Sequence, residues 1–442
     1  MKSSTESWAL EPSIVSEQLK RFVAEKVAHA SAAAVAEGKE MWPQFKALFA
    51  SAERGNLQAM REIFDEIRRP APKDQTVDRS KYCSHGSQWS TALELWGALE
   101  QFSGCGEKFT VAFGQEVIAS IPPGSVYFGG TDSGRFVVTA LCESHVSAVP
   151  FFTLTQNALA DRGYRQYLRS IYGSRLHLPS EEEAAQVHTE YLEDAQRRRE
   201  ANQLRPGESL EFVDAKWEVR GQIGVMALNG RLSKLVFEKN PEREFYVEES
   251  FPLEWMYSHL TPHGLILKIN RQPLAELPTD VIEQDRDYWT SRVRSMIGDW
   301  LRHDTPLGEV AAFLERVHLR HDLRGFDGDA RFVQNDPPQR LFSKLRSSIG
   351  GVYAWRATNL TDALNPTRMI DAADFAFRQA WALCPRSPEA VFGYINLLVV
   401  NQRHDEALLI ADTATKLDSD NMQLKFLTAE LQRMKMKQSQ AG

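Results

Sequence analysis

This sequence has few cysteines and no long apolar run. It has four cysteines in 442 residues, and no two of them have CxxC spacing. So few scattered cysteines exclude a disulfide scaffold and a structural zinc site, and they indicate reduced thiols. No run of about 18 apolar residues occurs, so the sequence predicts no membrane span. The first residues contain no apolar core of signal-peptide length, and we therefore expect a cytoplasmic protein.

Basic charge is also scarce. Lys and Arg number 52 against 59 Asp and Glu, which gives a net charge of -7. A general nucleic-acid-binding protein needs a basic face, so we expect no nucleic-acid partner. The one Arg-rich run, residues 196–200, lies in a segment rich in Glu and is typical of a solvated, mixed-charge helix.

What the sequence does contain is an ordinary hydrophobic fraction of 43%, in patterns that change along the chain. Residues 12–70 have apolar side chains at helical spacing. The central part has short, continuous apolar runs, which are typical of strands buried on both faces of a parallel sheet. We predict strands at 125–129, 150–155, 210–219, 244–249 and 264–270, with helices between them.

The last hundred residues contain a repeat. Three pairs of residues recur 34 positions apart: Ala373 and Ala407, Ala380 and Ala414, and Leu383 and Leu417. This is the period of tetratricopeptide helix pairs. We predict helices at about 339–357, 368–383, 388–401, 404–417 and 420–436.

The predicted fold class is α/β, with a mainly parallel sheet flanked by helices. An N-terminal helical segment precedes it, and a C-terminal all-α tetratricopeptide-like region follows it. The domains are predicted as a helical segment at 1–72, an α/β domain at 88–278, a helical connector at 279–338 and tetratricopeptide-like repeats at 339–442. Length alone predicts about two or three domains.

The first candidate site is the turn after the strand at 125–129. Gly129 and Gly130 permit close approach of the backbone. Thr131, Asp132 or Ser133 can cap the following helix, whose free amides attract an anion, and Arg135 can add a bidentate fork. A phosphate or sugar is a sensible ligand, although the spacing is neither GxGxxG nor that of a P-loop. The alternative is a tight strand-to-helix turn with a structural arginine.

Two further strand ends carry polar side chains. Gln156 and Asn157 follow the second predicted strand and suit recognition of hydroxyl or amide groups. Glu249 closes a later strand, where a carboxylate could bind Mg²⁺ or act as a general base. Because strand ends of an open α/β sheet form a ligand crevice, we expect these residues to face the same crevice as Asp132. Ordinary helix caps and solvated acids remain the alternative.

Signatures of catalysis and of metal binding are missing. His318 and His321 could present two ligands, but there is no HExxH pattern and no third ligand, so we predict no metal. No GxSxG elbow or Cys–His signature occurs. The sequence therefore names neither a catalytic residue nor a cofactor.

Several segments resemble a family of uncharacterised verrucomicrobial proteins. They are residues 125–136 (SVYFGGTDSGRF), 152–161 (FTLTQNALAD), 245–257 (FYVEESFPLEWMY), 288–289 (YW), 298–300 (GDW) and 342–349 (FSKLRSSI). In many of these proteins a similar soluble region follows a membrane domain that resembles protein O-mannosyltransferases. The resemblance covers about residues 90–430. It implies an α/β region followed by repeats and a link to envelope glycosylation, and it implies no catalytic residues for this part.

Two hypotheses for the function follow. The first is an adaptor, with a ligand-recognition crevice that binds a small anionic or sugar ligand and with repeats that bind a protein or peptide partner. The second is an enzyme that acts on a phosphorylated or nucleotide-linked sugar at the strand-end crevice. In the second case Asp132 or Glu249 would hold a metal or act as base, and Arg135 would bind phosphate.

Overall fold

Helices dominate this chain. A computed structural model describes residues 12–36, 38, 40–68, 86–103, 107–130, 133–213, 216–248, 253–359 and 366–441, and the statements below concern these residues. About 69% of the structure is helical, with a small mixed sheet of five strands and a helical C-terminal region. The chain forms two compact units, one of Met1–Tyr246 with Leu253–Trp255 and the other of Val247–Pro252 with Met256–Gly442. The four predicted domains divide the chain more finely and stay a prediction.

The first unit has helices in its N-terminal segment and between the central strands, where they were predicted. Residues 71–85 of the predicted linker lie outside the described residues. The helices are α1 (Pro12–Ala36), α2 (Pro43–Glu53), α3 (Leu57–Arg68), α4 (Gly86–Phe102), α5 (Glu107–Ser120), α6 (Ser133–Leu141), α7 (Arg162–Tyr172), α8 (Glu181–Glu200) and α9 (Gln222–Lys239).

A core of aromatic and aliphatic side chains holds α1 to α4 together. Phe22, Phe49 and Phe64 are almost fully buried in it, and the Phe64 ring stacks on Trp89 and Trp96 at centroid distances of 5.2 and 5.3 Å. Such stacking adds to the stabilisation that burial provides. The predicted N-terminal helical segment therefore has a core that α4 helps to build.

Seven strands are described. They are β1 (Val126–Gly129), β2 (Phe152–Thr155), β3 (Ser209–Val213), β4 (Lys216–Arg220), β5 (Phe245–Val247), β6 (Leu260–His263) and β7 (Ile266–Ile269). Five form one sheet in the order β2-β1-β5-β7-β6, and β3 and β4 form a separate pair. β1 and β2 are parallel, whereas β6 and β7 are antiparallel. The sheet is thus small and mixed.

Two strand predictions differ from the structure. The predicted strand 210–219 is an antiparallel hairpin, in which Leu210 pairs with Val219 and Phe212 with Trp217. Antiparallel pairing puts Leu210 and Phe212 on the same face as Trp217 and Val219. β6 was not predicted, because it contains Pro262. Its position at the end of the strand order explains why a proline is tolerated there.

The second unit has eight described helices. The five predicted in its last hundred residues are present within a few residues of the predicted bounds. The eight are α10 (Thr279–Ile297), α11 (Leu307–Leu314), α12 (Ala330–Val333), α13 (Asp336–Asn359), α14 (Pro366–Leu383), α15 (Pro388–Val400), α16 (His404–Leu417) and α17 (Met422–Ala441).

Gly298 ends α10 in a conformation that other residues rarely adopt. Its φ is 91°, and a Cβ there would meet the carboxylate of Asp327 and lie 3.3 Å from the backbone nitrogen of Gly328. We expect Gly298→Ala to lower the free energy of unfolding by about 1–3 kcal/mol, measured by chemical denaturation. Gly308→Ala is the control, because a Cβ at Gly308 meets nothing within 4 Å. Equal stability of the two variants would contradict this account.

Candidate functional site

The ends of β1 and β2 lie side by side, as the strand-end prediction requires. In the parallel register Gly129 is paired with Thr155. The Thr155 hydroxyl donates a hydrogen bond of 3.4 Å to the carbonyl of Gly130, and the side chain of Gln156 is fully buried. Gly129, Gly130 and Gln156 therefore come together at one edge of the sheet.

The segment after β2 is held by a residue that sequence reasoning missed. Asn229 of α9 is fully buried, and its amide donates to the carbonyl of Asn157 at 2.9 Å and accepts from the backbone N–H of Ala160 at 2.7 Å. Asn157 itself lies in a short 3-10 turn, Gln156–Ala158. In the sequence, the only signal for this role was an asparagine in a largely apolar helical segment.

Four of the predicted site residues lie wholly or partly outside the described part of the chain. Thr131, Asp132 and Glu249 lie outside the described residues, as does the side chain of Ser133. The shared crevice of Asp132, Asn157 and Glu249 therefore stays a prediction.

Arg135 lies at the predicted turn, and its guanidinium contacts a carboxylate of another helix. Its Nε and Nη2 atoms donate to Oε1 of Glu94 at 3.1 and 2.6 Å, and only 2% of the residue is exposed. A Cβ on Gly129 would lie 3.1 Å from the Cα of Arg135, so glycine permits this close approach. The Arg135 guanidinium, which was predicted to bind phosphate, thus donates to Glu94 in the structure.

A buried polar cluster surrounds that carboxylate. We call Lys26, Glu94, Arg135, His145 and Tyr167 the buried ion cluster. Oε2 of Glu94 accepts from the ammonium of Lys26 and from the hydroxyl of Tyr167, and the same ammonium donates to Tyr167. Each of the five is at most 2% exposed. The cluster joins α1, α4, α6 and α7.

The hydrogen bonds of the cluster assign the tautomer of His145. The ammonium of Lys26 can only donate, so Nδ1 of His145, 2.8 Å away, accepts. Nε2 then carries the proton and donates to the hydroxyl of Tyr172 at 3.1 Å. That hydroxyl donates to the carbonyl of Thr153 at 2.9 Å and accepts from its N–H at 3.0 Å. The imidazole is neutral in this arrangement.

The charges of the cluster perturb one another. Burial alone would raise the pKa of Glu94, but Lys26 and Arg135 more than offset this and hold the pKa well below its usual range. Burial lowers the pKa of Lys26, although Glu94 opposes the shift. Burial and Lys26 together lower the pKa of His145 to about 3. Two cations therefore share one carboxylate.

Lys26 carried a signal that sequence reasoning passed over. Phe22, Val23, Lys26 and Ala30 lie on one helical face, and all four are buried. Glu94 likewise lies between apolar neighbours of α4. Charged residues at core positions of two helices indicate a buried pair. The three N–H donors of the Lys26 ammonium are taken by Glu94, His145 and Tyr167. These hydrogen bonds join the helices on which the cluster residues lie.

The second unit contains a groove of about 370 Å³ between α13, α14 and α15. Its lining combines aromatic and aliphatic side chains with the amides of three asparagines. The rings of Tyr257 and Trp355 lie 5.1 Å apart, and a Cβ on Gly393 would lie 2.7 Å from the Phe377 ring, so glycine lets that ring approach. Other lining residues include Ser347, Gly351, Ile370, Glu389, Asn359, Asn396, Leu397, Val400 and Asn401.

Within the described residues, no three His, Cys, Asp or Glu side chains lie close enough together to hold a metal ion. No described helix combines the length and apolar character needed to cross a membrane. No protein-family model, no curated protein and no solved structure matches this chain.

Proposed function

We propose that this chain is a protein-interaction adaptor that binds an extended peptide in the groove between α13, α14 and α15. The observation that carries the proposal is the combination of apolar and amide side chains in that groove. Asparagine amides suit the N–H and C=O groups of an extended backbone, while aromatic rings suit an apolar anchor.

The helix bounds support a tetratricopeptide-like arrangement of the region. α14 ends at Leu383 and α16 at Leu417, and α15 begins at Pro388 and α17 at Met422, so each pair is offset by 34 residues. The four alanines of the sequence repeat are at most 2% exposed. Small buried residues let stacked helices approach closely, and stacked helix pairs build concave binding surfaces.

An ion-pair network stabilises the stack. The carboxylate of Asp374 in α14 accepts from Arg378, from Arg403 at 2.6 Å and from the hydroxyl of Tyr394 at 3.1 Å. These partners lie on α14, the turn before α16, and α15. The network fixes α14 against α15, which form two of the three sides of the groove, and a rigid groove loses less entropy on binding.

The lining indicates what the peptide contains. Val400 is 61% exposed at the groove, and Asn396 is exposed beside it. Asn359 and Asn401 donate to the carbonyls of Trp355 and Leu397 at 2.9 and 2.7 Å, which orients their amides. Glu389 is the only charged side chain in the described lining. A peptide with one apolar anchor and a nearby Lys or Arg fits best.

The resemblance to verrucomicrobial proteins extends this proposal, because it favours a partner in envelope glycosylation. The rival proposal of an enzyme at the strand-end crevice depends on Asp132 and Glu249, which lie outside the described residues. It stays a prediction, as does the recognition of a small ligand there.

The groove can be tested with one substitution. The full chain is used to select peptides from a random library, and the dissociation constant of a selected peptide is measured. We expect Val400→Glu to weaken binding at least about tenfold, because the new carboxylate must be desolvated against the apolar anchor. Val400 is exposed, so the thermal midpoint should not change.

Leu319→Glu is the matched control. Leu319 is 47% exposed in the same unit and does not line the groove, so its substitution should leave the affinity unchanged. Equal affinity of the two variants, or selection of no peptide, would count against the adaptor.

A further inference from the structure

The second unit has another cavity, which is more polar than the groove. It measures about 270 Å³ and lies between α10, α13 and α14. We propose that it binds a small anion that carries hydroxyl groups, such as a sugar phosphate or a hydroxy acid. This site is separate from the peptide groove, and the proposal is independent of the adaptor function.

The floor of the cavity holds a carboxylate with one oxygen in use. Oδ2 of Asp285 accepts from Nη1 of Arg346 and from the hydroxyl of Tyr353, both at 2.8 Å. Asp285 is only 6% exposed, and its Oδ1 is buried and accepts no hydrogen bond from the described residues. A buried acceptor without a donor is costly, so the floor calls for a ligand that donates. A hydroxyl group meets this need.

The lining as a whole is cationic. Three arginines, Arg286, Arg346 and Arg368, line it together with two aspartates, Asp285 and Asp371, and with His303. Arg346 is paired with Asp285, whereas the guanidinium of Arg368 donates to neutral oxygens, the hydroxyl of Thr279 and the carbonyl of Leu277. The excess of one positive charge favours an anion over a cation. Arginine is also the side chain that best matches carboxylate and phosphate oxygens. Arg286 is exposed, which places one cation where a ligand enters.

The volume and the polarity of the cavity further restrict the class of ligand that fits it. Pockets for drug-sized ligands measure about 300–1,000 Å³, so this cavity suits a smaller molecule. A bare sulfate would bring no donor for the buried oxygen of Asp285, because it carries no proton near neutral pH. A neutral sugar would leave the cationic excess without a counter-charge. A small molecule with both groups satisfies the floor and the lining together.

Calorimetry on the full chain tests the proposal with three probes: glucose 6-phosphate, glucose and inorganic sulfate. We expect glucose 6-phosphate to bind at least about fivefold more tightly than either of the others, because only it offers both groups. Equal affinity for inorganic sulfate would overturn the role of Asp285. Absence of binding by all three at about 10 mM would overturn the proposal.

Arg286 and Asp371 are exposed and oppositely charged, so substitutions at the two should change the affinity for an anion in opposite directions. Arg286→Gln should weaken the binding of glucose 6-phosphate about five- to tenfold, because it removes a charged partner of the anion. Asp371→Asn should tighten it about two- to fivefold, because it removes a repulsive charge. Arg320→Gln is the control, since Arg320 is exposed in the same unit and does not line the cavity. Identical affinities across the three variants would also overturn the proposal.

Discussion

Glu94→Gln is expected to lower the free energy of unfolding of the first unit by about 3–5 kcal/mol. The substitution keeps the shape of the side chain but removes the charge that Lys26 and Arg135 share. Those two cations then remain buried without a counter-charge, and the cost of desolvating them is no longer offset. Chemical denaturation followed by tryptophan fluorescence and by hydrogen exchange in α1 and α4 measures the loss.

Glu100→Gln is the matched control for that variant. Glu100 lies on the same helix, but its side chain is 45% exposed and its pair with Arg61 is 3.7 Å long. Exposed pairs of this kind contribute about 0–1 kcal/mol. The double variant Lys26→Met with Glu94→Gln should lose less stability than the two single variants added together, because the partners are coupled. A loss for Glu94→Gln below about 1 kcal/mol would show that the cluster does not carry the charges assigned to it.

The stability of the first unit is expected to fall as the pH is lowered through the range from 6.5 to about 3, because of His145. The folded pKa lies below the ordinary value, so the unfolded chain binds a proton in this window and the folded chain does not. The contribution is complete above 6.5 and is lost progressively toward the folded pKa. One such proton changes the free energy of unfolding by at most about 1.4 kcal/mol per pH unit.

A substitution separates His145 from the many carboxylates that also titrate under acid conditions. A glutamine at this position does not titrate, and its amide can accept from Lys26 and donate to Tyr172. We expect His145→Gln to reduce the slope of unfolding free energy against pH between about pH 6 and pH 4. His188→Gln is the control, since His188 is exposed on α8. Equal slopes for wild type and His145→Gln would contradict the buried neutral imidazole.

Local pattern was enough to place most helices and most strands. The apolar spacing of residues 12–70 predicts the helices that the structure contains there. The 34-residue recurrence of Ala373 with Ala407 predicts helices that end at Leu383 and Leu417. Such signals depend only on neighbours along the chain, because a helix or a strand needs its apolar residues at its own period.

Local pattern failed where a choice depended on distant partners. In the run at 210–219, Leu210 and Phe212 lie at even positions and Trp217 and Val219 at odd positions, and these four share a face because the run pairs with itself. The sheet order and its mixture of parallel and antiparallel pairs follow from which strands meet in space. No periodicity within one segment contains that information.

At the candidate site, the position of Arg135 follows from local sequence, whereas its partner depends on the tertiary structure. Its place after a Gly-rich turn is plain in the sequence, and an anion-binding arginine was a reasonable prediction. The residue that its guanidinium contacts lies 41 positions earlier in the chain, on α4. Glu94 in turn meets Lys26, a further 68 positions away.

The sequence by itself therefore determined the helices, the repeat period and the turn in which Gly129 and Arg135 lie. The tertiary structure alone decided that Arg135 and Lys26 share one buried carboxylate, and that Asp285 and three arginines line one cavity. Secondary structure follows from interactions a few residues apart. The partner of a buried charge follows from which opposite charge the packed chain brings within a few ångströms, since burial makes an unpaired charge costly.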